Sequence, residues 1–518
     1  MSLLVLALIA TVILPRVVEP VDAISTPLAL AAGTLPQIAV AGLALLAGRR
    51  AVARLRAGRG RAPHRLRVDL RRLQWAAVLA QAIAVQAFGW LAALRDLLGD
   101  LPGLDELLAL LPAIGAIGAC WWAAHPMEKL LRPALAGRRR YVVGELRNQL
   151  GILGVPALVA IATMETSELL AARMLAEDSS LLLLVLPTTM LVVLVLAPIT
   201  MVSVLDTAPL GEGPRRTLVD RVLRDNGIAL RRVLVWRTGG SLLNGAVVGV
   251  LHPWRYLLLT DAVLDLMPGE SLRAIVAHEV GHLRRRHLPW LVVVGAGILA
   301  VAILSAEFAA AGLASLAAPD PDDPLLRAVA GGEVAPPPSD PWLEVVLPAA
   351  LAVMVAIPGF GWVSRRFERQ ADTFAVQYLS ATAATEEEVE DPRRLPVRSL
   401  AVLAMCRALG RVAELNGIDA AAPSWRHGSI QSRQRHLVSL VGQPIRELRI
   451  DRQIRAIKLA GVVLVSAAIG FEVLRSGVVP GIVELPTPSG IAGESGGSAG
   501  SARAARPNGI AGADAARR

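Results

Sequence analysis

Cysteine is nearly absent: 518 residues hold two, Cys120 and Cys406, far apart in sequence. That count excludes a disulfide framework and a CxxC metal site, and each cysteine reads as a small buried apolar residue. Lysine is equally scarce. Only Lys129 and Lys458 occur, so almost all of the 53 basic residues are Arg. In an Ala-rich chain this bias is that of GC-rich coding, and the net charge of +10 carries no nucleic-acid reading. Aromatics amount to 4% and are scattered, so the stacking platforms of a nucleic-acid binder are missing. Charge is sparse too: 19% of residues are charged and 54% hydrophobic, with a mean hydropathy of +0.52. A disordered chain and an ordinary soluble globule are both excluded. A membrane protein with a sizeable polar part remains.

A spanning helix needs about 20 mostly apolar residues. Eight segments meet or approach that, at residues 26–48, 75–94, 107–124, 150–164, 181–204, 288–306, 342–363 and 457–471. A ninth, 2–14, is short and reads as a span or as the apolar part of a signal peptide; the lack of a preceding basic residue favours the span. The loops give an independent check. Residues 49–74, 125–149, 206–287 and 364–455 hold 43 of the 53 basic residues, and the loops between them are acidic. Basic loops stay on the cytoplasmic side. The alternation therefore predicts a cytoplasmic N-terminus and, with nine spans, an external C-terminus.

The expected organisation follows. Residues 1–205 form an N-terminal membrane region of about six spans. Residues 206–287 and 364–455 form two halves of a cytosolic domain, separated by two spans at 288–363. A last span at 456–475 precedes a Gly/Ala/Ser-rich tail, 476–518, which reads as disordered. The proline-bearing stretch at 317–341 is expected to be irregular.

The chemistry gathers at His278-Glu279-Val280-Gly281-His282. On a helix, residues four apart share a face, so both imidazoles can reach one ion. Two neutral imidazoles at that spacing suit zinc, and Glu279 can face the attacking water as a general base. A catalytic zinc also needs a third protein ligand. Glu368 and Asp372, again four apart, offer one: one carboxylate can bind the metal while the other orients a ligand histidine.

These residues carry a family resemblance. The sequence resembles the membrane zinc metalloendopeptidases typified by the type I CAAX prenyl protease and the HtpX heat-shock protease. The match is His278–His282, two spans, and then Ser-Arg-x-x-Glu-x-x-Ala-Asp at residues 364–372. It implies one zinc ion per chain on His278, His282 and Glu368, with Glu279 as general base and Asp372 behind the ligands. Two further segments are similar. Asn244-Gly245-Ala246-Val247-Val248-Gly249 resembles the family's substrate-binding edge strand, with Gly245 where Ala is usual. His427 and Arg433, six apart, resemble an oxyanion-side segment whose usual prolines are Gly428 and Ser429 here; Arg435 competes for the Arg role.

The implied fold is a predominantly α-helical multi-pass membrane protein of about nine spans with a small α+β zincin-type (gluzincin) catalytic domain. The implied activity is hydrolysis of membrane-associated or misfolded polypeptides at the cytoplasmic face, in the bilayer of a bacterial inner membrane. An antirepressor-type regulatory metallopeptidase is an alternative, although neither lysine follows a serine by three positions as a β-lactam sensor would require. A catalytically silent scaffold or transporter with a structural metal site is another; Glu279 argues against it, because a structural site needs no base. The remaining histidines read blandly: His287 as interfacial, His252 as a turn residue, His436 without a partner. Sequence leaves the oligomeric state open.

Overall fold

The computed structural model describes residues 3–12, 15, 25–57, 62–99, 101, 103–131, 137–174, 185–240, 242–317, 347–384, 395–446 and 448–475. The irregular stretch expected after Ala317 and the tail expected beyond residue 476 lie outside these residues.

The N-terminal region is helical: α1 (Leu3–Val12), α2 (Thr26–Arg56), α3 (Ala62–Phe88), α4 (Trp90–Leu98), α5 (Leu104–Leu131), α6 (Arg138–Gln149), a π turn (Leu150–Gly154), α7 (Val155–Met174) and α8 (Val185–Val204). Apolar composition gives most of these helices, the Arg-rich α6 excepted, and internal prolines at Pro36, Pro112 and Pro198 do not end the apolar ones, as neighbouring helices in a bundle allow. The segment expected as one span at 75–94 is broken. Gly89 takes φ 65, a conformation open to glycine, and α3 and α4 meet there at 69°. Close packing replaces hydrophobic drive between helices: Gly33 of α2 lies against Trp90, whose ring would be 2.3 Å from any Cβ there. Short polar ties add to it. Gln81 Nε2 donates to Thr11 Oγ1 at 2.9 Å, and Trp90 Nε1 donates to Ala109 O at 2.9 Å. The ten residues of α1 rise about 15 Å, half a bilayer core. The helix buries Leu4, Ala7, Leu8 and Val12 in the bundle.

Among the described residues, four helical segments are long and apolar enough to cross a membrane: Thr26–Arg56, Leu104–Leu130, His287–Ala309 and Arg449–Phe471. The broken pair α3–α4 makes a fifth if counted as one span, and Ala157–Thr166 and Leu191–Val204 are shorter apolar helices.

The polar part begins at residue 206. A four-stranded sheet holds β1 (Thr207–Pro209), β2 (Arg232–Trp236), β3 (Gly245–Val248) and β4 (Tyr256–Thr260) in the order β1-β2-β4-β3. β2 and β4 are parallel; the outer pairs are antiparallel, with Gly245 opposite Leu259 and Val248 opposite Tyr256. The helices are α9 (Pro214–Asp225), α10 (Asp261–Leu266), α11 (Gly269–Arg284), α12 (His287–Ala317), α13 (Leu347–Ala381), α14 (Ser399–Asn416), α15 (Ile430–Val438) and α16 (Arg449–Arg475). Every residue of β4 is buried, as a strand covered on both faces must be. One apolar core runs through α9, the sheet, α11, α13, α14, α15 and the start of α16, through Val222, Leu257, Leu272, Val376, Met405, Leu437 and Ile454. Contacts divide the chain at Ser466; of the shorter unit, Ala467–Arg518, the described part is the end of α16.

Candidate active site

The α11 helix starts after Pro268, with Glu270 in its first turn, a charge that suits a helix N-terminus. From Ser271 to Gly281 it is mostly buried, His278 and Glu279 included. Gly281 lets α13 approach. A Cβ there would sit 3.1 Å from Phe374 and 3.3 Å from the Ala371 Cα. That contact sets Glu368 of α13 opposite the two histidines.

His278 Nε2 and His282 Nε2 lie 3.2 Å apart, and each is 3.7 Å from an oxygen of Glu368. These three side chains form one of two groups among the described residues that could hold a metal ion. Two nitrogens bound tetrahedrally to one zinc at about 2.0–2.1 Å are about 3.3 Å apart, so the donor set fits zinc in chemistry and in spacing. The outward nitrogens are engaged elsewhere. His278 Nδ1 is 2.9 Å from Asp372 Oδ1, an approach too oblique for a well-aligned N–H bond. His282 Nδ1 is 2.9 Å from His287 Nδ1.

Arg433, on α15, closes the back of the site. Its Nε donates to Asp372 Oδ2 at 2.7 Å and its Nη2 to Oδ1 at 2.6 Å, a bidentate pair. Its Nη1 is 3.4 Å from Glu368 Oε2. Arg435 points to the exposed side of the same helix, so of the two arginines it is Arg433 that meets the carboxylates. Burial opposes the charge on Asp372, but the Arg433 guanidinium and His278 outweigh it and hold the carboxyl well below the carboxylate range. Glu368 is likewise lowered against burial, by the hydrogen bond from His427 and the charge of Arg433. His427 Nδ1 sits 3.1 Å from Glu368 Oε1, on a half-exposed side chain.

Glu279 behaves oppositely. Burial, with the Glu368 charge adding to it, raises its pKa, while the Val247 backbone and His278 partly offset the rise. β3 runs directly over it: a Cβ on Gly245 would be 3.4 Å from Glu279 Oε1. β3 is the last strand of the sheet and its outer edge pairs with no strand among the described residues. Ala246 lies within it, Asn244 just before and Gly249 just after. Gly249 turns the chain at φ 97.

Four residues show their contacts only in three dimensions. Asn416, at the end of α14, receives the Leu243 N–H and donates to Leu243 O, both at 2.9 Å, and so anchors the approach to β3. His287 is not interfacial: it is 3% exposed, and its ring stacks on Phe367. Gln370 contacts it from α13 at 2.9 Å. His436 also has a partner, Thr373 Oγ1 at 3.2 Å.

Residues 210–391, a stretch that includes the apolar helix α12, match the profile of Peptidase family M48, so this part of the chain is similar to the metallopeptidase domain of that family. The match includes β3, both histidines, Glu279, Glu368 and Asp372, and ends before His427 and Arg433. No curated protein matches the chain. Among solved structures, the crystal structure of S. mikatae Ste24p aligns with 81% of this chain and 100% of its own, at 13% identity and a TM-score of 0.39.

Proposed function

We propose that the protein is a membrane-embedded, zinc-dependent endopeptidase acting on membrane-associated or misfolded polypeptides at the cytoplasmic face. The observation that carries this reading is one juxtaposition. Two imidazole nitrogens and a carboxylate converge beside a buried acid, Glu279, beneath a free sheet edge.

His278, His282 and Glu368 would hold one zinc ion, with Asp372 orienting His278. Bound there, zinc supplies Lewis acidity toward a peptide carbonyl and toward water. The remaining work falls to the chain. The edge of β3, from Asn244 through Gly245 and Ala246 to Gly249, receives an extended substrate by main-chain hydrogen bonds, which ask little of its sequence. Glu279 takes a proton from the attacking water and passes it to the leaving amine. His427, beside Glu368, donates to the carbonyl oxygen as negative charge develops there. Arg433 holds Asp372 and Glu368 in place.

The location follows from charge and connectivity. Arg284, Arg285 and Arg286 end the metal helix, and an apolar helix follows at His287. Basic segments at the start of spans lie on the cytoplasmic side, so the site opens toward the cytoplasm next to the bilayer. A bacterial inner membrane fits the coding bias. Residues 206–287 and 364–455 then act as the two halves of the peptidase domain, with residues 1–205 as a membrane region of about six spans.

The test is zinc content and casein cleavage by detergent-purified wild type and Glu279→Gln. The expected result is about one zinc per chain in both, with turnover in the variant down by about 10²–10⁴-fold. Zinc in both and cleavage by neither would put the silent scaffold ahead. A folded wild type that binds no zinc would remove the site assignment.

A further inference from the structure

His287 belongs to a buried chain of polar side chains that starts on the last apolar helix. Asp451, near the start of α16, is 3.2 Å from Arg285 Nη2. Gln370 Nε2 donates to Asp451 Oδ1 at 2.7 Å. Gln370 Oε1 is 2.9 Å from His287 Nε2, and His287 Nδ1 is 2.9 Å from His282 Nδ1. With both imidazoles neutral, the hydrogens along this chain can be placed in only one order. An ionised carboxylate, here beside a guanidinium, only accepts. Gln370 must therefore turn its NH₂ to Asp451 and its carbonyl oxygen to His287. That oxygen only accepts, so His287 carries its proton on Nε2. In the neutral ring Nδ1 is then an acceptor, and it takes the Nδ1–H of His282. With its proton on Nδ1, His282 has a bare Nε2, and that nitrogen faces His278 and Glu368.

We infer that His287 is a positioning residue: together with Gln370 and Asp451 it fixes the tautomer of His282 so that Nε2 is free to bind a metal. The inference rests on His282 being a metal ligand, as proposed above. Two features support a device rather than a chance contact. Arg286 adopts φ 53, making it the one non-glycine with positive φ among the described residues. That turn ends α11 and sends α12 back so that its first residue meets a side chain five positions earlier. The turn is also held from α16, where Lys458 Nζ donates to Arg285 O at 2.9 Å. The last apolar helix thus bears on the metal ligand through two of its residues, Asp451 and Lys458.

The test reverses the chain and then restores it. Arg285 Nη2 and Gln370 Nε2 both meet Asp451 Oδ1, so an amide at 451 would keep its oxygen there and the reversal is made at 370 instead. In Gln370→Lys the ammonium pairs with Asp451 and offers His287 only a donor, which moves the His287 proton to Nδ1 and protonates the wrong nitrogen of His282. Zinc affinity of the full-length chain in detergent, measured by competition with a chromophoric chelator, is expected to fall about 10–100-fold. The double variant Gln370→Glu/Asp451→Asn exchanges donor and acceptor and again presents an acceptor to His287. It is expected to stay within about threefold of wild type, which simple loss of the native pair would not allow. Selective ¹⁵N-histidine spectra of the zinc-free protein should show His282 protonated on Nδ1 in wild type and in the double variant, and not in Gln370→Lys. An unchanged affinity in Gln370→Lys, or a comparable loss in the double variant, overturns the inference. If Gln370→Lys does not fold, Gln370→Met replaces it: loss of the acceptor should lower zinc affinity, and an unchanged value overturns the inference equally. A wild type that binds no zinc would instead defeat the metal-site reading itself.

Discussion

Arg433 and Arg435 sit two residues apart on one short helix in opposite surroundings. Arg433 is buried against Asp372 and Glu368, whereas Arg435 is exposed. Removing one partner of a buried ion pair strands the other in low dielectric, at a cost of about 3–5 kcal/mol. An exposed side chain away from such features contributes within about 0.5 kcal/mol. Arg433→Ala should therefore lower the unfolding midpoint of the zinc-free protein strongly and Arg435→Ala hardly at all. Equal effects on thermal unfolding would show that Arg433 is not the keystone of the carboxylates. Sequence left these two arginines in competition, because spacing alone cannot say which face of α15 meets α13. The proposed ligands were legible for the opposite reason. His278 and His282, and Glu368 and Asp372, are each four apart within uninterrupted helices, where period and face coincide. His287 escaped because the same rule was carried past the helix end. The left-handed turn at Arg286 breaks the phase, so a residue five positions on returns to the ligand's side.

At the scale of elements, β3 depends on how it ends. Gly249 takes φ 97, and a Cβ there would stand 2.1 Å from the Trp254 carbonyl oxygen. Gly249→Ala adds about 1–3 kcal/mol of backbone strain and a clash with main chain that has no flexible end to yield. The hairpin must shift, and the edge offered to substrate shifts with it. Cleavage efficiency should fall, chiefly through a higher KM, while zinc content stays at the wild-type level. An unaltered KM would mean that substrate does not use this edge. The strand itself was implied by the resemblance of Asn244–Gly249 to the family's edge strand. Its anchor was not: Asn416 lies 173 residues from Leu243, and no local pattern announces a side-chain amide standing in for a neighbouring strand. The α13 helix shows the reverse difficulty. Sequence divides it into a span up to residue 363 and a motif from 364, but the chain forms one helix of 35 residues that continues through Pro358. The carboxylates are therefore rigidly continuous with the apolar part of that helix.

For the whole molecule, the order of the cores matters more than their number. The peptidase core is built from both sides of the 288–363 insertion, with Leu272 and Val376 in one cluster. Helices α1, α2, α3 and α5 pack in separate clusters, one around Ala44, Leu70 and Cys120, another around Leu8, Val78 and Leu110, whereas Met201 and Val202 at the end of α8 pack with Leu234 and Leu258 of the sheet. A ligand that binds only the folded state stabilises it by about 2.7 kcal/mol at a hundred times its dissociation constant. If the metal site is as proposed, zinc adds that term to the peptidase core, where α11 meets α13, and not to the clusters of the N-terminal bundle. Chelation should then speed hydrogen exchange in α11, in α13 around Glu368 and at the start of α16, where Asp451 ties the last helix to the site. Exchange in α2, α3 and α5 should stay as it was, and adding zinc back should restore the peptidase elements alone. A uniform rise across both regions would show a single cooperative unit, and the N-terminal bundle would then be part of the peptidase fold rather than a separately packed membrane platform beside it.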